Sequence, residues 1–179
     1  MNYSKTQELT HICLMTAAMA ICSWITVPYM VPFTLQTFGV FATLELLGGK
    51  NGTRSILLYI LLGAFGAPVF SGFQGGLSKL LGTTGGYIFG FLLTALLYWL
   101  ITEKIGNSKA LRIAALLAGL VALYLTGSLW FIHVYTSSTG PIDIITVLSW
   151  CVFPFIGPDL LKLFAAIIVA ESVRKAVTA

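Results

Sequence analysis

Charge is what this sequence lacks most. Only 9% of its 179 residues are Asp, Glu, Lys or Arg, and six of them are acidic. Its Lys and Arg residues leave a net charge of +4 but are scattered over separate connectors, which excludes the basic stripe of a nucleic-acid binder. Cysteine is sparse too. Cys13, Cys22 and Cys151 are an odd, widely separated set in apolar surroundings, so a disulfide scaffold is excluded and they read as small buried side chains. The two histidines, His11 and His133, are far apart, and His-Glu-x-x-His is missing. No Ser–His catalytic motif or pair of membrane aspartates supports an intramembrane enzyme. The glycine-rich runs Ser71–Gly76 and Gly82–Tyr87 lack the Gly-Lys-Ser/Thr ending of a nucleotide P-loop, so ATP hydrolysis is not expected of this chain.

What remains is apolar. Hydrophobic residues make up 58% of the chain and its mean hydropathy is +0.94. Stretches of roughly 17 to 25 such residues are long enough to cross the hydrocarbon of a bilayer. The pattern predicts an all-α polytopic membrane protein forming one domain over residues 1–179, with six spans near 9–27, 33–48, 54–70, 82–101, 110–132 and Pro158–Val173. A short apolar segment over Ile142–Phe153 leads into the last span, interrupted by Pro154 and Pro158. Ala18-Met19-Ala20 resembles a signal-peptide cleavage site, but Lys5 alone precedes it and similar stretches follow, so the first stretch reads as a retained span. With six spans, Lys5, Lys50, Arg54, Lys104, Lys109, Arg112, Arg174 and Lys175 share one side, while Lys79 lies on the other. Such asymmetry predicts that both termini are cytoplasmic.

Within the apolar sequence, polar groups stand out. Asp159 and Lys162 are three apart, which puts them on one face of a helix. An ionisable group inside a membrane is by default a functional-site hypothesis. The pair reads either as an ion pair orienting the last helix or as a ligand site. Gln36, with Thr34 and Thr37, supplies a polar patch near the outer start of the second span. Glu45, two turns on, is expected to pair with Lys50 or Arg54 near the cytoplasmic end. The outer connectors are rich in glycine, which permits close backbone approach; they suit either tight packing or a loop over a ligand. Tyr87, Trp150 and Phe153 are candidates for the apolar lining of a cavity opening outward. On the first span, Thr16 with Ala20 and Ala18 with Cys22 form small-xxx-small pairs, suited to internal packing or to a membrane partner.

VPFTLQTFGVF (31–41), LLGAFGAPVFSGFQGGLSKLLGTTGGYIFGF (61–91) and PFIGPDLLK (154–162), in this order, resemble the BioY family, the biotin-specific substrate-capture (S) components of energy-coupling-factor (ECF) transporters. The resemblance implies an S-component bundle of six helices, an outward biotin pocket and no catalytic activity or cofactor. It also implies partnership with a transmembrane coupling protein and two ATPases in a prokaryotic cytoplasmic membrane. Carried onto this sequence, it assigns Asp159 to the ureido nitrogens of biotin and Lys162 to its acidic end, with Gln36 in the polar wall. Gly72, Phe73 and Gly75 fall in the covering loop, Tyr87 in the matching helix, and Lys79 is a substitute cation for the carboxylate. The small-residue face Thr16, Ala18, Ala20 and Cys22 becomes the partner contact. Two positions depart from the family pattern: Thr83 stands where proline is expected, and Gly157-Pro158-Asp159 replaces Pro-Gly-Asp. The rival reading is a self-contained secondary carrier for a small carboxylate-containing solute, using the Asp159–Lys162 pair for ion coupling; no inverted repeat supports it.

Overall fold

A capping box starts the first helix: the Gln7 N–H donates to the Ser4 hydroxyl while the Ser4 N–H donates to the Gln7 side chain, satisfying two donors that a helix start leaves without partners. The computed structural model describes residues 4–178. Helix α1 runs Lys5–Trp24. A ribbon follows, with β1 (Thr26–Val27) antiparallel to β2 (Phe33–Thr34), so the helical bundle carries one small ladder that the sequence reading omitted. Helix α2 (Gln36–Ala64) is two limbs joined at Gly48, whose φ of 75° and ψ of 177° lie outside the helical region. The second and third spans expected as separate helices with a connector are thus joined by a single-residue turn. Gly49 tucks that turn against the backbone near Trp99, where an added Cβ would come within 2.5 Å of the Trp99 Cα.

The second limb ends at Ala64, short of the expected residue 70. The chain then loops to the short helix α3 (Leu77–Leu81), followed by α4 (Gly85–Lys104) and α5 (Lys109–Ser138). Helix α6 (Ile144–Cys151) is capped by the Asp143 carboxylate, and α7 covers Phe153–Thr178. The last helix therefore begins five residues before the expected Pro158. The break falls at Val152, with φ −128° and ψ −62°, rather than at either proline. Pro154 sits in the first turn of α7, where a missing N–H removes no intrahelical bond. Pro158 forfeits one bond, and the helix continues through it.

Among the described residues, the result is a bundle of six helical rods: α1, the two limbs of α2, α4, α5 and α7. Among the described residues, three stretches are long and apolar enough to cross a membrane by length and composition: Gly85–Lys104, Lys109–Ser138 and Ile144–Ala176. Helix α2 packs on α1, α4 and α7, and α4 lies along α5. Glycine allows the α4–α5 approach: a Cβ on Gly119 would sit 2.5 Å from Thr94 Cγ2. The main core gathers Met19, Phe41, Leu44, Tyr59, Tyr98, Leu116 and Leu163. Outside it, Leu14, Leu100, Leu125, Leu129, Leu161 and Ile168 stay exposed. Apolar side chains exposed on α1, the second limb of α2, α4, α5 and α7 suit a lipid surround better than water. The chain is a multi-pass membrane protein.

Candidate functional site

One end of this bundle is polar inside. Helix α7 brings Asp159 there, 2% exposed in its second turn. A carboxylate buried this deeply must be compensated. Thr37 of α2 donates to its Oδ1 at 2.8 Å, and Tyr124 of α5 donates to its Oδ2 at 2.8 Å. Lys162, one turn further along α7, donates to Oδ1 at 2.9 Å and to the Thr34 carbonyl at 2.7 Å. Three helices thus converge on one carboxylate. Of the roughly four lone-pair directions of a carboxylate, these bonds occupy three, leaving Oδ2 with room for a further donor.

Beside this group lies a cavity whose empty space, counted out through its mouth, is about 620 Å³. Asp159, Lys162, Thr34, Gln36 and Thr37 form its polar wall, with Ile88, Phe91, Leu123 and Phe155 as apolar lining. Gln36 donates to the Tyr59 hydroxyl at 2.7 Å, fixing its amide. Tyr87 also lines the cavity; its hydroxyl donates to the Cys151 carbonyl at 3.2 Å. Its ring lies over Gly127, where a Cβ would come within 2.2 Å of ring carbon. Lys79 reaches the cavity from α3, half-buried, and among the described residues its ammonium has no hydrogen-bond or ion-pair partner. Burial alone pushes its pKa below the ordinary lysine value.

The predicted residues therefore divide. Gln36, Lys79, Tyr87, Asp159 and Lys162 meet around one cavity. Gly72, Phe73 and Gly75 do not line it; from the same loop, Ser71 does. Phe73, at φ 56° and 63% exposed, stacks on Trp24 with ring centroids 4.9 Å apart, and Gly75 is pressed against the Ala67 carbonyl. Trp150 packs edge-on to Tyr135 and Phe153 faces outward; their neighbours Cys151 and Phe155 hold the lining positions instead. Thr16 and Ala20 are buried on the α2-facing side of α1, with the Thr16 hydroxyl donating to the Ser55 carbonyl at 3.1 Å. Ala18 and Cys22 are partly buried, and Cys22 abuts Gly39. The outward face of α1 carries Leu9, Cys13, Leu14 and Ile21 instead.

The BioY family model matches residues 1–179. The chain belongs to the BioY family. It is 39% identical over 170 residues to the biotin transporter BioY of Thermotoga maritima, covering 94% of this chain and 96% of that protein. It is 36% identical over 171 residues to the probable biotin transporter BioY of Pyrococcus horikoshii, covering 95% and 98%. The solved S-component for biotin from an ECF-type ABC transporter superposes with a TM-score of 0.81 at 27% identity, covering 97% of this chain and 95% of that one.

Within this BioY chain, the polar wall comes from two of the recognised motifs, VPFTLQT and Pro-Asp-x-x-Lys. Tyr124 lies in neither, and the sequence reading missed it. Its signal was a phenol set in the apolar run LVALYLTG, where a buried hydroxyl needs a partner. Cys151 and Phe155 carried no comparable signal, because the register of the broken α6–α7 approach decides which side chains turn inward.

Proposed function

We propose that this chain captures biotin in the cavity beside Asp159 and carries it across the prokaryotic cytoplasmic membrane as the S component of an ECF-type ABC transporter. A transmembrane coupling protein and two ATPases supply the energy, and the vitamin is moved, not converted. Six crossings with both termini cytoplasmic fit the rods, since Lys50, Arg54, Lys104, Lys109 and Arg112 gather at the connectors away from the cavity. The cavity then opens to the outside.

The observation that carries this reading is the buried Asp159 carboxylate, ringed by donors at one end of a mainly apolar cavity. Biotin presents two ureido N–H groups at one end and a carboxylate at the end of an apolar chain. One N–H fits the open acceptor site on Oδ2; the other diverges to the far side of the ureido ring, away from this carboxylate. Lys162 keeps one ammonium proton beyond those given to Thr34 and Asp159, suited to the ureido oxygen. Its 2.9 Å contact holds it at the same end as Asp159, so the two cannot serve opposite ends of an extended ligand. Lys79 is the cation left for the acid. With Asp159 and Lys162 neutralising each other, the cavity's remaining positive charge matches a monoanion.

Calorimetry of the purified protein with biotin, biotin amide, riboflavin and thiamine tests the reading. Tight binding of biotin alone, lost in a folded Asp159→Asn variant, is the expected result. A folded wild-type protein that does not bind biotin would overturn it.

A further inference from the structure

A second buried carboxylate takes no part in the cavity. Glu45, 1% exposed, lies near the end of the first limb of α2. Tyr98 of α4 donates to its Oε1 at 3.1 Å, and Arg112 of α5 to its Oε2 at 3.1 Å. Arg174 of α7 reaches both Oε2, at 3.4 Å, and the Glu45 main-chain carbonyl. That carbonyl is among the last four of the limb, which have no intrahelical donor because Gly48 ends the helix there. The guanidinium therefore caps the negative end of the limb while pairing with its side chain. Neither Lys50 nor Arg54 joins in: both are exposed, and Arg54 bonds to Asn51.

The helices fastened here include all three that meet at Asp159. Thr37 and Glu45 share the first limb of α2, eight residues or ~12 Å apart at the helical rise. Tyr124 and Arg112 share α5, ~18 Å apart, and Asp159 and Arg174 share α7, ~22 Å apart. Two fastenings on the same three rods fix their axial register as well as their spacing. A helix pinned only at the cavity can slide or pivot; one pinned at both ends cannot.

We infer that Glu45 is a positioning residue for the ligand site: its junction with Arg112 and Arg174 sets the register in which Thr37 and Tyr124 meet Asp159. Glu45 touches no ligand. Its effect is exerted through α2, α5 and α7, and it deepens the proposed function by resting on biotin as the occupant of the cavity.

Two readouts separate this role from general stabilisation. Spin labels at Leu35→Cys and Ile156→Cys, both exposed beside the cavity, report the α2–α7 spacing without ligand, in a background with the three native cysteines replaced. Glu45→Gln is expected to broaden or shift the wild-type distance distribution and to weaken biotin binding roughly ten-fold, near the lower end of couplings between linked sites. Glu45→Asp, which keeps the charge, should recover part of both. Ser55→Ala, which removes buried bonds between α2 and α1, should leave both unchanged. In a Tyr124→Phe background the penalty of Glu45→Gln should shrink, because one of the contacts it registers is already gone. A distance distribution unaltered by Glu45→Gln, or altered with unchanged affinity, overturns the inference. If Glu45→Gln yields no folded protein, Glu45→Asp carries the same decision. Absence of biotin binding by the wild type would instead remove the biotin reading, and the ligand-free distances alone would then decide whether Glu45 registers the helices.

Discussion

Asp159 and Glu45 are chemically almost the same object. Each is a carboxylate no more than 2% exposed, and each accepts from side chains of several helices. They differ in their donors and in what lies beside them. Glu45 faces two guanidinium groups and a phenol, and it does not line the cavity beside Asp159. Asp159 faces one ammonium and two hydroxyls, and a cavity opens alongside. Guanidinium pairs are directional and strong, so they suit a fixed strut. Hydroxyls rotate at little cost, so their acceptor can be shared with an incoming ligand. A buried charge does not by itself mark a binding site; exchangeable partners beside open space do.

The largest expected effect would break the strut. Replacing Glu45 with Ala leaves Arg112 and Arg174 without their shared anion, and breaking a buried pair costs about 3 to 5 kcal/mol of stability. Thermal unfolding in detergent should show a marked fall in Tm, larger than for any substitution at Asp159. If Asp159→Asn destabilises the fold as much, the distinction between strut and site fails.

Next is Asp159→Asn itself, read in affinity. The amide keeps the shape but removes the charge opposite Lys162 and one acceptor for ureido N–H groups. Losing one member of a desolvated charged pair costs about 2 to 5 kcal/mol of binding, so biotin affinity should fall roughly a hundred-fold while the protein stays folded. Calorimetry beside circular dichroism checks both halves.

Much of this is legible in the sequence itself. The Asp159–Lys162 spacing and the Val31–Thr37 motif located the polar wall, because charge and amides are conspicuous in apolar sequence. Glu45 was misread because sequence distance favoured Lys50 and Arg54. Gly48 turns the chain so that both become exposed, while Arg112 and Arg174 arrive from helices more than 60 residues away. Local spacing predicts partners only within one unbroken helix. The same reason explains the lining: Cys151 and Phe155, not Trp150 and Phe153, face the cavity because the α6–α7 break at Val152 resets the register.

Lys79 sharpens the comparison from the other side, as a cavity cation lacking the anion that both carboxylate clusters possess. Lys79→Met should weaken biotin about ten-fold, since a charged hydrogen bond contributes about 1.5 to 3 kcal/mol, and should leave biotin amide nearly unaffected. Loss of discrimination between acid and amide is the diagnostic result. The pH dependence has a definite sign. Burial lowers the pKa of free Lys79, and a bound carboxylate raises it again. Affinity is therefore complete while Lys79 is protonated and falls as pH rises through its lowered pKa, earlier than an ordinary lysine would dictate. The Met variant should lack this component.

The smallest effect tests whether hydroxyl donors really distinguish the binding carboxylate. Tyr124→Phe removes one donor to Asp159 Oδ2 and little else. In the free protein the oxygen loses a buried bond, which destabilises the unliganded site. In the complex, a ureido N–H can use the vacated direction, which offsets part of that loss. The two contributions oppose each other, so affinity should change by no more than a few-fold, against the net ~1 kcal/mol of an ordinary hydrogen bond. Tyr98→Phe, the matching change at Glu45, has no ligand to refill the vacancy. It should lower Tm with or without biotin, whereas the Tm deficit of Tyr124→Phe should narrow when biotin is added. Equal deficits in the two variants under saturating biotin would show that Asp159 keeps its donors as rigidly as Glu45 does, and that partner exchange is not how the site admits its ligand.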